Sequence, residues 1–278
     1  MSKFTDFIRR GLTYALHGIP IKKVEANIHY LSPSSRLNGK KILITGGGRG
    51  IGYAMAKKFV EEGAEVLISG RNISALENAS QEIGCKYLKY DLLDIRNNND
   101  FLLKAEELLG KIDCLVNNAG VSLHEEDYSC VTPESFDTQI STNLKAPFFL
   151  SQKFVELLRN DGRTGHVLFI SSETGITADE RPYGWTKAAI NSMVEGLAYK
   201  LTPYDIRVNA IAPGVVATDM TGLKSDGDLN YSGNIMGRVY LPEEIAEVAC
   251  FLLSDASSCI TGQVLVCNNG KTINARWK

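Results

Sequence analysis

The sequence lacks any run of apolar residues approaching the ~18–20 needed to span a bilayer, so no transmembrane segment is expected. Charge of neither sign is in excess. Lys and Arg number 30 against 32 Asp and Glu, a formal net charge of −2, which supplies no overall field for nucleic acid or an anionic membrane. The six cysteines, Cys85, Cys114, Cys130, Cys250, Cys259 and Cys267, form no C-x-x-C pair, and no histidines stand at metal-ligand spacing. A disulfide scaffold and a metal site are therefore not expected. Most of the cysteines sit in apolar runs, as small buried hydrophobes of a reducing compartment do, and the cytoplasm is the default location. No low-complexity linker and no repeat of 20–50 residues divides residues 40–278. With 278 residues, 44% of them hydrophobic and 22% charged, the chain can bury one large core.

What is present falls into two parts, an extension over residues 1–38 and a domain over 39–278. In the extension Phe4, Phe7, Ile8, Leu12, Ala15 and Leu16 recur at helical spacing, with Lys3, Arg9 and Arg10 between them. Asp6, Arg9 and Arg10 interrupt what a signal peptide would keep apolar. The short amphipathic helix either packs on its own domain or a sister subunit, or serves as a membrane-surface or partner-binding arm. From Lys40 onward short β-rich runs alternate with longer helical patterns, the signature of a parallel sheet covered on both faces. Strands are expected at 41–45, 65–69, 86–90, 112–116, 165–171, 205–211 and 263–267, with the longest helices at 134–159 and 181–201.

The first strand runs into Thr45, Gly46, Gly47, Gly48, Arg49, Gly50, Ile51 and Gly52, directly ahead of a helical pattern. A strand that turns through glycines into a helix brings bare backbone N–H groups and the positive end of the helix dipole against a pyrophosphate. By itself the pattern also fits an ordinary βα turn. The second strand ends at Gly70-Arg71-Asn72, where an acid normally accepts hydrogen bonds from the ribose of NAD and an Arg accommodates the 2′-phosphate of NADP. The acid is missing and Arg71 is present, with Arg49 as a second candidate, so NADP(H) is expected over NAD(H). Read alone, Arg71 is equally a solvated surface charge. Asp91, followed by Leu92, ends the third strand, where a carboxylate either reaches an adenine amino group or caps a helix. Asn117-Asn118-Ala119-Gly120 follows the fourth strand with amide and small residues that let the chain pass close to a cofactor.

Tyr183 and Lys187 stand at i and i+4, on one helix face. An unperturbed Tyr, with a pKa near 10, is too weakly acidic to serve as a base at neutral pH. One positive charge at ~5 Å in an effective dielectric of about 20 contributes roughly 3 kcal/mol, about two pKa units. Lys187 is thus expected to bring the Tyr183 phenol down, although such pairs are common on helix surfaces. Ser172 ends the fifth strand, where a hydroxyl can hydrogen-bond a carbonyl oxygen while the phenol protonates it.

At this point the chain resembles the short-chain dehydrogenase/reductase family. T-G-x-x-x-G-x-G stands at 45–52, N-N-A-G at 117–120, Asn143 in a helix, Ser172, Y-x-x-x-K at 183–187 and P-G-x-x-x-T at 213–218. The likeness covers about residues 38 to 270, and the pattern looks like that of 3-oxoacyl-thioester reductases and the broader ketone reductases. It implies a Rossmann-type doubly wound sheet of about seven parallel strands, a nicotinamide cofactor and the tetrad Asn143, Ser172, Tyr183 and Lys187. By that resemblance Tyr183 is the acid/base, Ser172 orients the carbonyl, Lys187 holds the ribose, and Asn143 supports a water in a proton relay. Pro213, Gly214, Val216 and Thr218 flank the nicotinamide.

The resemblance also implies a homodimer or homotetramer through the long helices. Arg49 argues against the epimerase-like branch, which needs glycine there. Two departures stand out: the 173–182 loop is shorter than is usual for the family, and its V-D-G-G appears as Cys267-Asn268-Asn269-Gly270. The expected activity is interconversion of a ketone and a secondary alcohol. The alternative is a nucleotide-binding scaffold without turnover that acts through the extension, which the complete tetrad disfavours.

Overall fold

The computed structural model describes residues 35–274, so the helix expected in the extension lies outside the described residues. Seven strands form one parallel sheet: β1 Lys41–Thr45, β2 Glu65–Gly70, β3 Lys86–Lys89, β4 Cys114–Asn117, β5 Gly165–Ile170, β6 Ile206–Pro213 and β7 Val264–Cys267. Their order across the sheet is β3-β2-β1-β4-β5-β6-β7. The chain starts in the middle, builds outward to β3, then crosses back to β4 and builds the other way. The loops after β1 and β4 therefore diverge, and a crevice opens between them at the carboxyl ends of the strands.

The helices are α1 Gly50–Glu61, α2 Ile73–Ile83, α3 Asn98–Leu109, α4 Pro133–Ile140, α5 Ala146–Asn160, α6 Pro182–Leu201 and α7 Pro242–Leu253. Alternation along the strands assigns them to two layers. Ile42, Ile44, Val66 and Ile68 face one way and pack with Met55 and Phe59 of α1 and Ile245 and Leu252 of α7. Leu43, Leu67, Leu115 and Val167 face the other, against Phe101 of α3, Phe154 of α5 and Val194 of α6. Burying a side chain of this size contributes about 1.5–3 kcal/mol, so the two layers together hold the helices on the sheet beneath the crevice.

Local chemistry sets the helix ends. Asn72 caps α2 by accepting from Ala75 N–H, and Gly84 ends it at φ 76°. Thr132 and Ser135 form a capping box at α4, with Pro133 in the first turn. The single helix expected over 134–159 is interrupted. A π-helical turn, Ser141–Lys145, joins α4 to α5, with Ala146 N–H donating to Ser141 O. Pro147 is the physical cause available in the sequence, because it has no N–H to offer the Asn143 carbonyl and its ring crowds that turn.

Leu37 is fully buried in the first layer, and Arg36 pairs with Glu62 at 2.6 Å and Glu247 at 3.0 Å, fixing the entry of the chain against α1 and α7. Between β6 and α7 a small separate cluster, Ala217, Leu229, Val239 and Leu241 with Val215, Leu223 and Tyr231, organises the segment that overhangs the crevice. Arg238 ties that segment to the start of α7 through a two-pronged contact with Glu244, 2.8 and 2.6 Å. Among the described residues no helix is long and apolar enough to cross a membrane, and no cluster of His, Cys, Asp and Glu fit to hold a metal ion occurs.

Candidate active site

The crevice has a volume of about 690 Å3, and its wall carries nearly every residue singled out in the sequence. Gly46, Gly48, Arg49, Gly50 and Ile51 form one side. Arg71, Asp91 and Leu92 stand at the β2 and β3 ends, and Asn118, Ala119 and Gly120 at the end of β4. Ser172, Tyr183 and Lys187 close the floor, and Pro213, Gly214, Val216 and Thr218 the far wall. Gly52 and Asn143 lie behind this surface and support it.

The glycine turn depends on missing side chains. Gly46 has φ 67°, and a Cβ on Gly52 would run into the Gly46 carbonyl oxygen. The N-cap of α1 is Arg49, whose side chain caps nothing, and the first turn holds no acid. The first N–H groups of α1 thus point into the crevice without a side-chain partner, an arrangement that suits a pyrophosphate. Thr45 Oγ1 accepts from Asn118 N–H at 3.1 Å and Ala119 N–H at 3.2 Å, and Asn118 Nδ2 donates to the carbonyls of Thr45 and Gly46, both at 3.0 Å. These bonds lock the β4 end to the turn.

Arg71 is exposed on the wall and has no ion-pair partner among the described residues. Arg49 pairs with Asp219 at 3.3 Å across the mouth, both side chains largely exposed. Such a surface pair contributes little and yields readily to an arriving anion. Asp91 accepts from Leu93 N–H at 3.1 Å, so it holds its own turn and caps no helix while still lining the crevice.

On the floor, Lys187 Nζ is buried and donates to the Ile170 carbonyl at 2.9 Å, with the ammonium 5.5 Å from the Tyr183 ring centroid. Burial pulls the Lys187 pKa down to about 8. The Tyr183 phenol moves up from its ordinary value: burial is the main cause and the Asp179 carboxylate adds to it, while a hydrogen bond from Ser172 works in the opposite direction. Burial sets the direction, the reverse of the one expected from the charge pair. Asn143 spends its side chain on structure. Its Oδ1 accepts from Val121 N–H and its Nδ2 donates to Val121 O, each at 2.8 Å.

Several supporting residues were not singled out in the sequence. Asp179 accepts from Arg181 N–H and Nε, and its carbonyl takes the Trp185 indole N–H at 2.7 Å, so it frames Tyr183 from both sides. Glu173, buried next to Ser172, accepts from Asn268 Nδ2 at 3.1 Å and Lys271 Nζ at 2.6 Å. That explains the departure at 267–270: Asn268 is buried as a donor to Glu173, and Asn269 takes φ 49°, a left-handed conformation Asn tolerates. The unusual Asn-Asn pair was the only signal of this network in the sequence.

The chain is similar to known proteins over most of its length. The family model described as enoyl-(acyl carrier protein) reductase matches residues 46–272. A 3-oxoacyl-[acyl-carrier-protein] reductase of Chlamydia trachomatis is 35% identical over 247 residues, 85% of this chain and 99% of that protein. An NADP-dependent (R)-specific alcohol dehydrogenase of Lentilactobacillus kefiri is 32% identical over 250 residues, 86% of this chain and 99% of that protein. Among solved structures, the 3-ketoacyl-(acyl-carrier-protein) reductase from Brucella melitensis complexed with NADH superposes with a TM-score of 0.79 at 31% identity, covering 85% of this chain and 100% of that one.

Proposed function

Because the chain belongs to the short-chain dehydrogenase/reductase family, we propose that it interconverts a ketone and a secondary alcohol with NADP(H), acting on an acyl-thioester-like or simpler carbonyl substrate. The observation that carries this reading is the meeting of Ser172, Tyr183 and the buried Lys187 on the floor of a dinucleotide-sized crevice. A pyridine nucleotide fits the residues present. The bare N–H groups of α1 suit its pyrophosphate, Arg71 and Arg49 its 2′-phosphate, and Asp91 with Leu92 its adenine. Asn118, Ala119 and Gly120, together with Pro213, Gly214, Val216 and Thr218, bound the space left for the nicotinamide, which when bound supplies or accepts the hydride.

In this reading Ser172 donates a hydrogen bond to the carbonyl oxygen and Tyr183 delivers the proton to it. Lys187, held by Ile170 O, keeps a positive charge beside the phenol and contacts the ribose. A phenol left with a high pKa is a proton donor that stays protonated at neutral pH, which suits the reductive direction. Asn143 braces Val121 and, through the π turn, supports a water that returns protons to Lys187. The family relationship also supports a homo-oligomer, and Ile140, Leu144, Phe148 and Met193 line a shallow apolar depression on the outer face of α5 and α6 suited to a second copy.

The test is NADPH consumption with a panel of ketones. Tyr183→Phe should bind NADPH normally yet lose at least ~10²-fold in turnover, the effect of removing a general acid. Near-normal turnover by Tyr183→Phe on a verified substrate would sink the proposal.

A further inference from the structure

We propose that Thr174 is a positioning residue that aims the Ser172 hydroxyl proton at the reacting oxygen; this rests on the reading of Ser172 and Tyr183 given above. A serine hydroxyl has one proton to donate and can accept two hydrogen bonds. Ser172 Oγ lies 3.2 Å from the Thr174 backbone nitrogen and 3.0 Å from Thr174 Oγ1. The backbone N–H can only donate. The Thr174 hydroxyl donates as well. Both acceptor positions of Ser172 are then filled by one residue, and its single proton is left to point into the crevice that Ser172 and Tyr183 both line. Donation into Ser172 also polarises its O–H, strengthening the bond it makes.

The turn that carries Thr174, Glu173–Gly175, is held on three sides. Its first residue is anchored by Asn268 and Lys271 through the Glu173 carboxylate. Its last is pressed on α6: a Cβ on Gly175 would stand 2.6 Å from the Lys187 carbonyl carbon and 2.8 Å from Ala188 N, and Asn191 Nδ2 donates to Gly175 O at 3.0 Å. The same Asn191 accepts from Ser171 Oγ at 2.6 Å, so the turn, the β5 end and α6 share one brace. Thr174 therefore cannot drift from Ser172 without moving the helix that bears Tyr183 and Lys187.

The experiment compares Thr174→Val, close in shape but without the hydroxyl, with Thr174→Ser, which keeps it. Steady-state reduction of a panel ketone by NADPH is measured beside NADPH affinity by fluorescence. The Tyr183 ring is followed by NMR in protein carrying 13Cζ-tyrosine, its resonance identified with Tyr183→Phe. Thr174→Val should lower kcat roughly five- to tenfold, the effect of losing one neutral hydrogen bond in the transition state, with NADPH affinity within twofold. Thr174→Ser should stay within twofold of the parent in kcat. The Tyr183 resonance should move in Thr174→Val and not in Thr174→Ser. The proposal is overturned by an unchanged kcat in Thr174→Val, by equal losses in both variants, which would mean methyl packing, or by an unmoved Tyr183 resonance. The NMR arm needs no turnover, so it decides the Thr174 question even where the ketone panel and Tyr183→Phe together reject the reductase reading. Should Thr174→Val lose NADPH binding and hence its fold, Thr174→Ala takes its place in both arms.

Discussion

The Asp179 side chain fills the space where Gly184 would otherwise carry a Cβ, with its Cγ 2.7 Å and Oδ2 2.6 Å from that position. The short loop can therefore cross the start of α6 only because residue 184 is glycine. Gly184→Ala should force the loop or the helix aside, an overpacking cost of about 1–3 kcal/mol. Because Asp179 also holds Arg181 and Trp185, the displacement should reach Tyr183. We expect a lower Tm and at least tenfold slower turnover, with NADPH affinity within twofold. An unchanged Tm measured by calorimetry would contradict the crossing.

Among the described residues Arg71 on the crevice wall has no ion-pair partner and Arg49 pairs with the exposed Asp219. Arg71→Asp removes a charge-assisted contact to a 2′-phosphate and adds repulsion, so NADPH affinity should fall by about 10²-fold while NADH affinity changes little. Asp219→Asn, which releases Arg49, should tighten NADPH slightly. Fluorescence titrations of both nucleotides check this, and tighter NADH than NADPH binding by the parent protein rejects the assignment.

Lys187 titrates near 8 when folded and near 10.5 when unfolded. Below pH 8 both states hold the proton and the full burial penalty is present. Between pH 8 and 10.5 the unfolded chain holds more protons than the folded one, so stability rises with pH through that window. Relative to Lys187→Met, the parent should gain about 2 kcal/mol between pH 7 and pH 9.5. The range stops below pH 10 because the raised Tyr183 pKa acts in the opposite direction above it. Urea midpoints at the two pH values decide the matter, and parallel pH curves would mean that Lys187 is not perturbed.

Phe148 is partly exposed on α5, opposite Met193 of α6, in the outer apolar depression. If a second copy covers this face, Met193→Asp buries an unpaired charge in the interface and should shift the mass seen by light scattering toward the monomer. A parent protein that is already monomeric at micromolar concentration removes the proposal.

Which features were legible in the sequence follows from whether they are local. Each strand announces itself by a short β-rich run, and β1, the glycine turn and α1 are consecutive, so the cradle is written in one stretch. The motifs at 117–120, 172, 183–187 and 213–218 fall at strand ends or helix starts, and the doubly wound topology brings all of them to one crevice. What escaped is pairwise and distant. Nothing near Glu173 foretells its contact with Asn268 and Lys271. The Tyr183 shift depends on how deeply α6 is buried, which a helical repeat does not reveal. The π turn is an intermediate case, since Pro147 was visible but its effect on the Asn143 turn was not drawn from it.

The overhanging segment between β6 and α7 enters the first layer only at its ends, through Val216 and Tyr240; between them Leu229 and Val239 pack with Ala217 and Leu241 instead. Between those ends its ties to the body are polar: Arg238 with Glu244, Asp219 with Arg49, and the Met220 carbonyl with His124 Nε2 at 2.7 Å. Mutations in it can accumulate without loosening the layers that hold the sheet and the cofactor-facing turns. For a lineage, that makes the segment a replaceable part, through which descendants of one ancestor can change what they act upon while the apparatus for moving a hydride and a proton is inherited intact.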